Sequence, residues 1–135
     1  MPCVEFGVPF VADKGSASIT QDKAAIWEAY LRACDGKRRW PHSHLNRFFV
    51  SVNLFKSPER PVNDPVGLVL DALSPDSEGR RVWTWKDVSQ VVATRVSECE
   101  SDYEATFITV VWEEPDLHAL YRERGFYGTR AERLS

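Results

Sequence analysis

Hydrophobic positions in the first half of the chain follow two periods. Val4–Val8 alternates apolar and other residues, as a half-buried strand does. Apolar residues then recur at helical spacing, which predicts a helix over 21–34, with Thr20 as its N-cap and Gly36 as its stop. The run 45–55 returns to strand-like alternation. The pattern therefore predicts strand, helix and strand in that order.

The second half predicts a buried helix followed by a pair of strands. Asp64 is a candidate N-cap, and Pro65 falls at the first helical position, where proline costs least. The helix after it is apolar nearly all round, so we expect it to be buried. Residues 82–85 fit a short strand, and two β-branched runs at 90–96 and 105–112 predict a hairpin that completes the sheet.

The order of these elements predicts an α/β sandwich with a mixed sheet. A length of 135 residues fits one domain. The segment 113–135 is polar and basic, with a helix predicted over 116–124. No apolar run approaches the roughly 20 residues that span a bilayer, and no signal peptide is apparent. The three cysteines are far apart, so we expect free thiols in a reducing, cytoplasmic setting.

The net charge of −3 conceals an uneven distribution. Residues 1–60 carry +3, residues 61–115 carry −7, and the last twenty residues carry +1. Neutralisation of phosphates supplies much of a nuclease's affinity for DNA, and it requires a basic face. Such a face would have to come from the N-terminal half and the tail.

The segment from Arg60 to Val96 contains two motifs at a defined spacing. The first reads Pro-Val-Asn-Asp-Pro-Val-Gly over 61–67, followed after three residues by Asp-Ala-Leu at 71–73. The second reads Lys-Asp-Val-Ser-Gln-Val over 86–91. In order and spacing they resemble the RusA-like Holliday-junction resolvases, which carry Asp-x-Asp-Asn-x-x-Lys, then Asp-Ala-Leu, and later Asp-Asp-x-Gln-Val. The resemblance covers about 3–112 and leaves 113–135 as an extension.

The resemblance implies a RusA-like two-layer sandwich with a mixed sheet and two main helices, acting as a homodimer. It also implies a Mg²⁺ ion bound by three Asp side chains, with a Lys nearby. At those positions this chain has other residues: Pro61, Asn63 and Val88 for the ligands and Gly67 for the lysine. Mg²⁺ is held in proteins by oxygen ligands, typically carboxylates, which Pro and Val side chains cannot supply. Gly67 also removes the cation expected beside the scissile phosphate.

Two functional hypotheses follow. The first is a catalytically degenerate RusA-like protein that binds branched DNA or a protein partner. The second is an active Mg²⁺-dependent endonuclease that resolves Holliday junctions through relocated carboxylates, Asp64, Asp71 and Asp87. The alternative to this endonuclease hypothesis is that the three residues have structural roles alone, with Asp64 an N-cap, Asp71 a structural residue and Asp87 a loop acid. We favour these structural roles.

Basic residues beside an aromatic residue are the candidate nucleic-acid contacts. Such a cluster can bind phosphates and stack on an unpaired base. The candidates are Lys37, Arg38, Arg39 and Trp40, joined by Arg80 and Arg81. The alternative is a solvated loop whose Trp40 packs on the core.

Overall fold

The computed structural model describes residues 2–35, 46–75 and 84–114. Several predictions fall outside these ranges: the basic loop, Arg80 and Arg81, the first residues of the predicted strand at 82–85, and the helix predicted over 116–124. None of the described helices is long and apolar enough to cross a membrane.

The described residues confirm a mixed α/β fold, in which two helices pack with a four-stranded mixed sheet. A short 3₁₀ turn at Val88–Gln90 leads into the third strand. The elements in chain order are β1 (Cys3–Val8), α1 (Ile19–Cys34), β2 (Arg47–Lys56), α2 (Pro65–Leu73), β3 (Val91–Glu100) and β4 (Ala105–Glu113).

The strand order is β1-β4-β2-β3, so the predicted hairpin of the last two strands is wrong. β3 lies parallel to β2, whereas β4 pairs antiparallel with both β1 and β2. The connection from β3 to β4 crosses the end of β2, where the Ser101 amide donates to the Lys56 carbonyl at 3.0 Å. Every second side chain of β2 is buried, and all of these except Lys56 are apolar, so this strand takes a central position.

Both helices pack on one face of the sheet. β1, β2 and β4 turn alternate side chains toward them, and these meet the buried residues of α1 and α2 in one core. The largest fully buried side chains are Trp85, Trp112, Tyr30 and Phe48. α2 is buried through Leu68, Val69, Ala72 and Leu73, as its composition predicted. No described helix covers the opposite face of the sheet.

Element boundaries differ from the predictions where tertiary contacts intervene. α1 begins at Ile19 with Ser18 at its N-cap, not Thr20, and the Ser18 hydroxyl donates to Asp22 instead of capping an amide. β3 runs on to Glu100, because that residue pairs with Lys56 at the end of β2. Thr84 and Trp85 do not form a strand.

Candidate functional site

The first motif lies where the β1–α1 loop meets the β2–α2 loop. The Lys14 amide donates to the Asn63 carbonyl at 2.8 Å. The Asp13 carboxylate accepts from the amides of Gly15 at 2.7 Å and of Asn63 at 3.1 Å. Burial alone would raise the pKa of Asp13, but these hydrogen bonds and the Arg60 guanidinium hold it below its ordinary value. Asp13 therefore fixes the chain that leads into α2.

Asp64 caps α2, as predicted. Its carboxylate accepts from the Gly67 amide at 3.0 Å, and Pro65 takes the first helical position. The backbone of Asp64 is left-handed, with φ 44° and ψ 63°, a conformation that non-glycine residues adopt rarely and Asp more readily than most. The turn thus directs the Asp64 side chain onto its own helix.

A lysine from the other loop bridges the two carboxylates of α2. Lys14 Nζ lies 3.4 Å from Asp64 Oδ2 and 3.5 Å from Asp71 Oδ2. The charge of Asp71 and the hydrogen bond with Asp64 raise the pKa of Lys14. Both carboxylates are about half exposed, at 52% and 53%. Asp64 and Asp71 therefore share the Lys14 ammonium as a counter-ion at the protein surface.

The same lysine fills the space beside Gly67. A Cβ atom at this glycine would lie 2.2 Å from Asp64 Oδ2 and 2.8 Å from Lys14 Cε. The resemblance assigns a lysine to position 67, and the sequence predicted that its loss would remove the cation. Lys14 supplies an ammonium beside this helix turn from a different element, where it pairs with Asp64 and Asp71.

Asp87 lies at a different part of the sheet. It caps the 3₁₀ turn by accepting from the Ser89 amide at 2.8 Å, a hydrogen bond that lowers its pKa. The Gln90 side chain accepts from the Asp87 amide and donates to the Asn46 carbonyl, just before β2. Asp64 instead follows the far end of β2. Asp87 is therefore a capping residue near the start of that strand.

The structure brings together two of the three candidate carboxylates. In the described ranges, no three His, Cys, Asp or Glu side chains are grouped so that they could hold a metal ion. One oxygen of Asp64 caps a helix and the other faces Lys14, as does Asp71. Mg²⁺ needs several unengaged oxygens in near-octahedral geometry. The donor set here does not fit that ion.

Sequence reasoning missed an ion-pair network at this end of the sheet. Arg60 Nε contacts Glu104 at 2.7 Å, and its Nη1 contacts Asp13 at 3.4 Å. The buried Lys56 ammonium donates to the carbonyls of Ser57 and Arg60, and pairs with Glu98 at 3.4 Å. Each of these cations therefore already has anionic or carbonyl partners within the chain.

The described part of the chain is acidic. It carries eight Lys and Arg against fifteen Asp and Glu, a net charge of −7. The candidate nucleic-acid contacts lie outside the described residues: Lys37, Arg38, Arg39, Trp40, Arg80 and Arg81. The five basic residues among them account for most of the positive charge that the rest of the chain carries. A net charge of this sign disfavours non-specific binding of the described body to a duplex.

No protein-family model matches the chain. No curated protein matches it either. The RusA-like resemblance therefore depends on the spacing of the two motifs.

Proposed function

We propose that this chain is a RusA-like protein that does not cleave DNA and acts by binding branched DNA. The supporting observation is the Lys14 ammonium between Asp64 and Asp71. An internal cation at the inherited motif neutralises the carboxylates that a relocated site would need. Loss of ligands at Pro61 and Val88 acts in the same direction.

Branched DNA is the ligand proposed for the basic loop. Lys37, Arg38 and Arg39 would neutralise phosphates, and Trp40 would stack on a base exposed at the junction. Arg80 and Arg81 would extend the same surface. The acidic body would oppose binding elsewhere, so we expect affinity to be confined to this surface and to fall steeply with salt.

A protein partner is the second candidate, and the uncovered sheet face favours it. Tyr103 and Phe107 are 59% and 49% exposed there. The resemblance also implies a homodimer, which we retain as part of the proposal. The second hypothesis of the sequence, a Mg²⁺-dependent endonuclease using Asp64, Asp71 and Asp87, becomes an outcome of the test.

A gel assay on a synthetic four-way junction tests this function. The wild-type chain is incubated with labelled junction, or with a linear duplex of the same sequence as control, in Mg²⁺, Mn²⁺ or EDTA. We expect a shifted junction band under all three conditions and no cleavage. Metal-dependent cleavage that disappears in Asp64→Asn or Asp87→Asn would contradict the proposal and establish the endonuclease. If the junction is neither shifted nor cleaved, binding of a protein partner becomes the favoured function.

A second measurement detects metal binding directly and does not depend on nuclease activity. Isothermal titration of Mn²⁺ is compared between the wild type and Lys14→Met, which keeps the length of the side chain and removes the charge. We expect no heat of binding at millimolar Mn²⁺ in the wild type, because the ammonium repels a divalent ion from Asp64 and Asp71. Saturable binding to the wild-type chain that Asp71→Asn abolishes would contradict the assigned role of Lys14.

A further inference from the structure

The face of the sheet opposite the helices has an ordered pattern of side chains. Three rows cross it from β1 to β3, set by the pairing of the strands. The first row is Cys3, Val111, Phe49 and Ala93; the second is Glu5, Thr109, Ser51 and Arg95; the third is Gly7, Phe107, Asn53 and Ser97.

Apolar side chains are concentrated at the two ends of this face. Phe49 and Val111 are adjacent in the first row and only half-buried. At the other end the Phe107 ring lies over Gly7, since a Cβ there would lie 2.9 Å from the ring. Phe107 meets Phe55 edge to face, and Phe55 stacks on Tyr103. Exposed aromatic residues of this kind are typical of interfaces.

Opposite charges lie at the two edges of the middle row. Glu5 is exposed on β1 and Arg95 is exposed on β3, with the half-buried Thr109 and Ser51 between them. Neither forms an ion pair with any other residue of the described ranges. Each lines a shallow depression of the face, Glu5 beside Phe107 and Arg95 beside Phe49.

We propose that this face binds the same face of a second copy of the chain, with Glu5 of each copy opposite Arg95 of the other. A two-fold axis parallel to the strands, between β4 and β2, places β1 of one copy over β3 of its partner. The middle rows then lie on each other with their charges reversed. A two-fold axis across the strands would instead place Glu5 on Glu5 and Arg95 on Arg95. The charge pattern therefore selects the first axis.

The dimensions of the face suit this partner. Four strands about 4.8 Å apart and some nine residues long give a footprint of about 600 Å². Stable interfaces bury about 800 Å² of accessible surface on each partner, which a pleated face of this footprint approaches. Sheets packed face to face lie about 10 Å apart, a gap that Glu and Arg side chains bridge together. The dimer would be a four-layer sandwich with its helices outside.

This interface deepens the homodimer part of the proposed function and rests on it. It does not depend on whether the chain binds or cleaves DNA. Sedimentation velocity of the full 15.4-kDa chain measures the dissociation constant of the dimer. The variants are Glu5→Arg, Arg95→Glu and the two combined. Glu28→Arg and Arg32→Glu, both exposed on α1, are matched controls on the helix layer.

We expect a dimer for the wild type and the controls. Each single reversal places two like-charged pairs in the interface and should raise the dissociation constant at least about tenfold. The combined variant restores both pairs and should return it to near the wild-type value. A dimer that ignores both single reversals, or one that the combined variant fails to restore, would overturn this face and leave the dimer itself intact. A wild-type monomer would overturn both, while the junction assay still reports on DNA separately.

Discussion

Lys14 is the residue whose position most changes the interpretation of the motifs. It lies about fifty residues before Asp64 in the chain, yet its ammonium bridges Asp64 and Asp71. The sequence predicted a lost cation at Gly67, and the fold returns one to the same turn from another loop. Substitutions at a motif thus have to be interpreted with the residues that pack against it.

Gly67 is expected to be required chiefly because of the Asp64 carboxylate, since the other close atom, Lys14 Cε, belongs to the end of a flexible side chain. Replacing glycine by alanine inside a helix ordinarily stabilises by about 0.5–1 kcal/mol. In the wild type, a Cβ at this position would displace the Asp64 cap, so Gly67→Ala should not stabilise the protein in that background. In an Asp64→Gly background the carboxylate is gone and the gain should reappear. Urea unfolding of the four proteins measures this, and equal effects of Gly67→Ala in both backgrounds would contradict the contact.

Asp13 is expected to contribute to acid sensitivity. Its pKa in the folded chain lies below the ordinary value of 3.8. The stabilisation is therefore present above that value and is lost as the pH falls through the lower folded pKa. Asp13→Asn keeps the shape and removes the charge, and should cost about 1–2 kcal/mol near neutral pH, because hydrogen bonds to a charged group are weakened.

Unfolding free energies from pH 7 down to pH 3 would check this expectation. The wild type should lose more stability over the acid range than Asp13→Asn, so the two curves should converge. Asp22→Asn, in the first turn of α1, is the matched control. It should leave the slope of unfolding free energy against pH near that of the wild type. Parallel curves for wild type and Asp13→Asn would refute a role for this carboxylate.

At the level of elements, the position of β2 decides the sheet. Its inward side chains are buried along its whole length, and it is flanked by β4 and β3. A helix between two strands is itself a sign of parallel pairing, because parallel strands need a long crossover. That sign is present in α2, at Pro65–Leu73, and it outweighs the adjacency of the two β-branched runs that favoured a hairpin. The four-residue connection reaches across β2 instead.

Lys56 is expected to hold the end of β2 to the loop after it. Its side chain is only 5% exposed, and its ammonium contacts two carbonyls and Glu98. Lys56→Met leaves the Ser57 and Arg60 carbonyls without this donor, and should cost about 1–3 kcal/mol. Glu98→Gln should cost less, because Glu98 is 58% exposed. Thermal unfolding compares the two, and an equal or larger effect of Glu98→Gln would contradict this assignment.

For the whole molecule, charge distribution limits where nucleic acid can bind. The described body carries −7, and the proposed contacts at 37–40 and at Arg80 and Arg81 lie outside it. Binding should be strongly salt-dependent and restricted to one surface. The face of the sheet opposite the helices, with its aromatic residues, is the surface proposed for a second copy.

A triple Lys37→Ala, Arg38→Ala and Arg39→Ala variant should weaken junction binding. It should also reduce the salt slope of the affinity by about three, because each of the three side chains would no longer neutralise a phosphate. The control is Lys23→Ala with Arg32→Ala on α1, which should change neither quantity. Fluorescence anisotropy at several salt concentrations measures both. An unchanged slope in the triple variant would exclude the basic loop as the phosphate-binding surface.

The sequence alone determined most of the elements. Local periodicity fixed β1, α1, β2 and α2 to within a few residues, and the Asp64–Pro65 pair fixed the start of α2, because capping and burial depend on neighbours in the chain. Only the tertiary structure decided what lies between distant segments: β2 inside the sheet, Lys14 on Asp64 and Asp71, and Arg60 between Asp13 and Glu104. These contacts join residues that are tens of positions apart, and no local pattern records which side chains will meet once the core has closed.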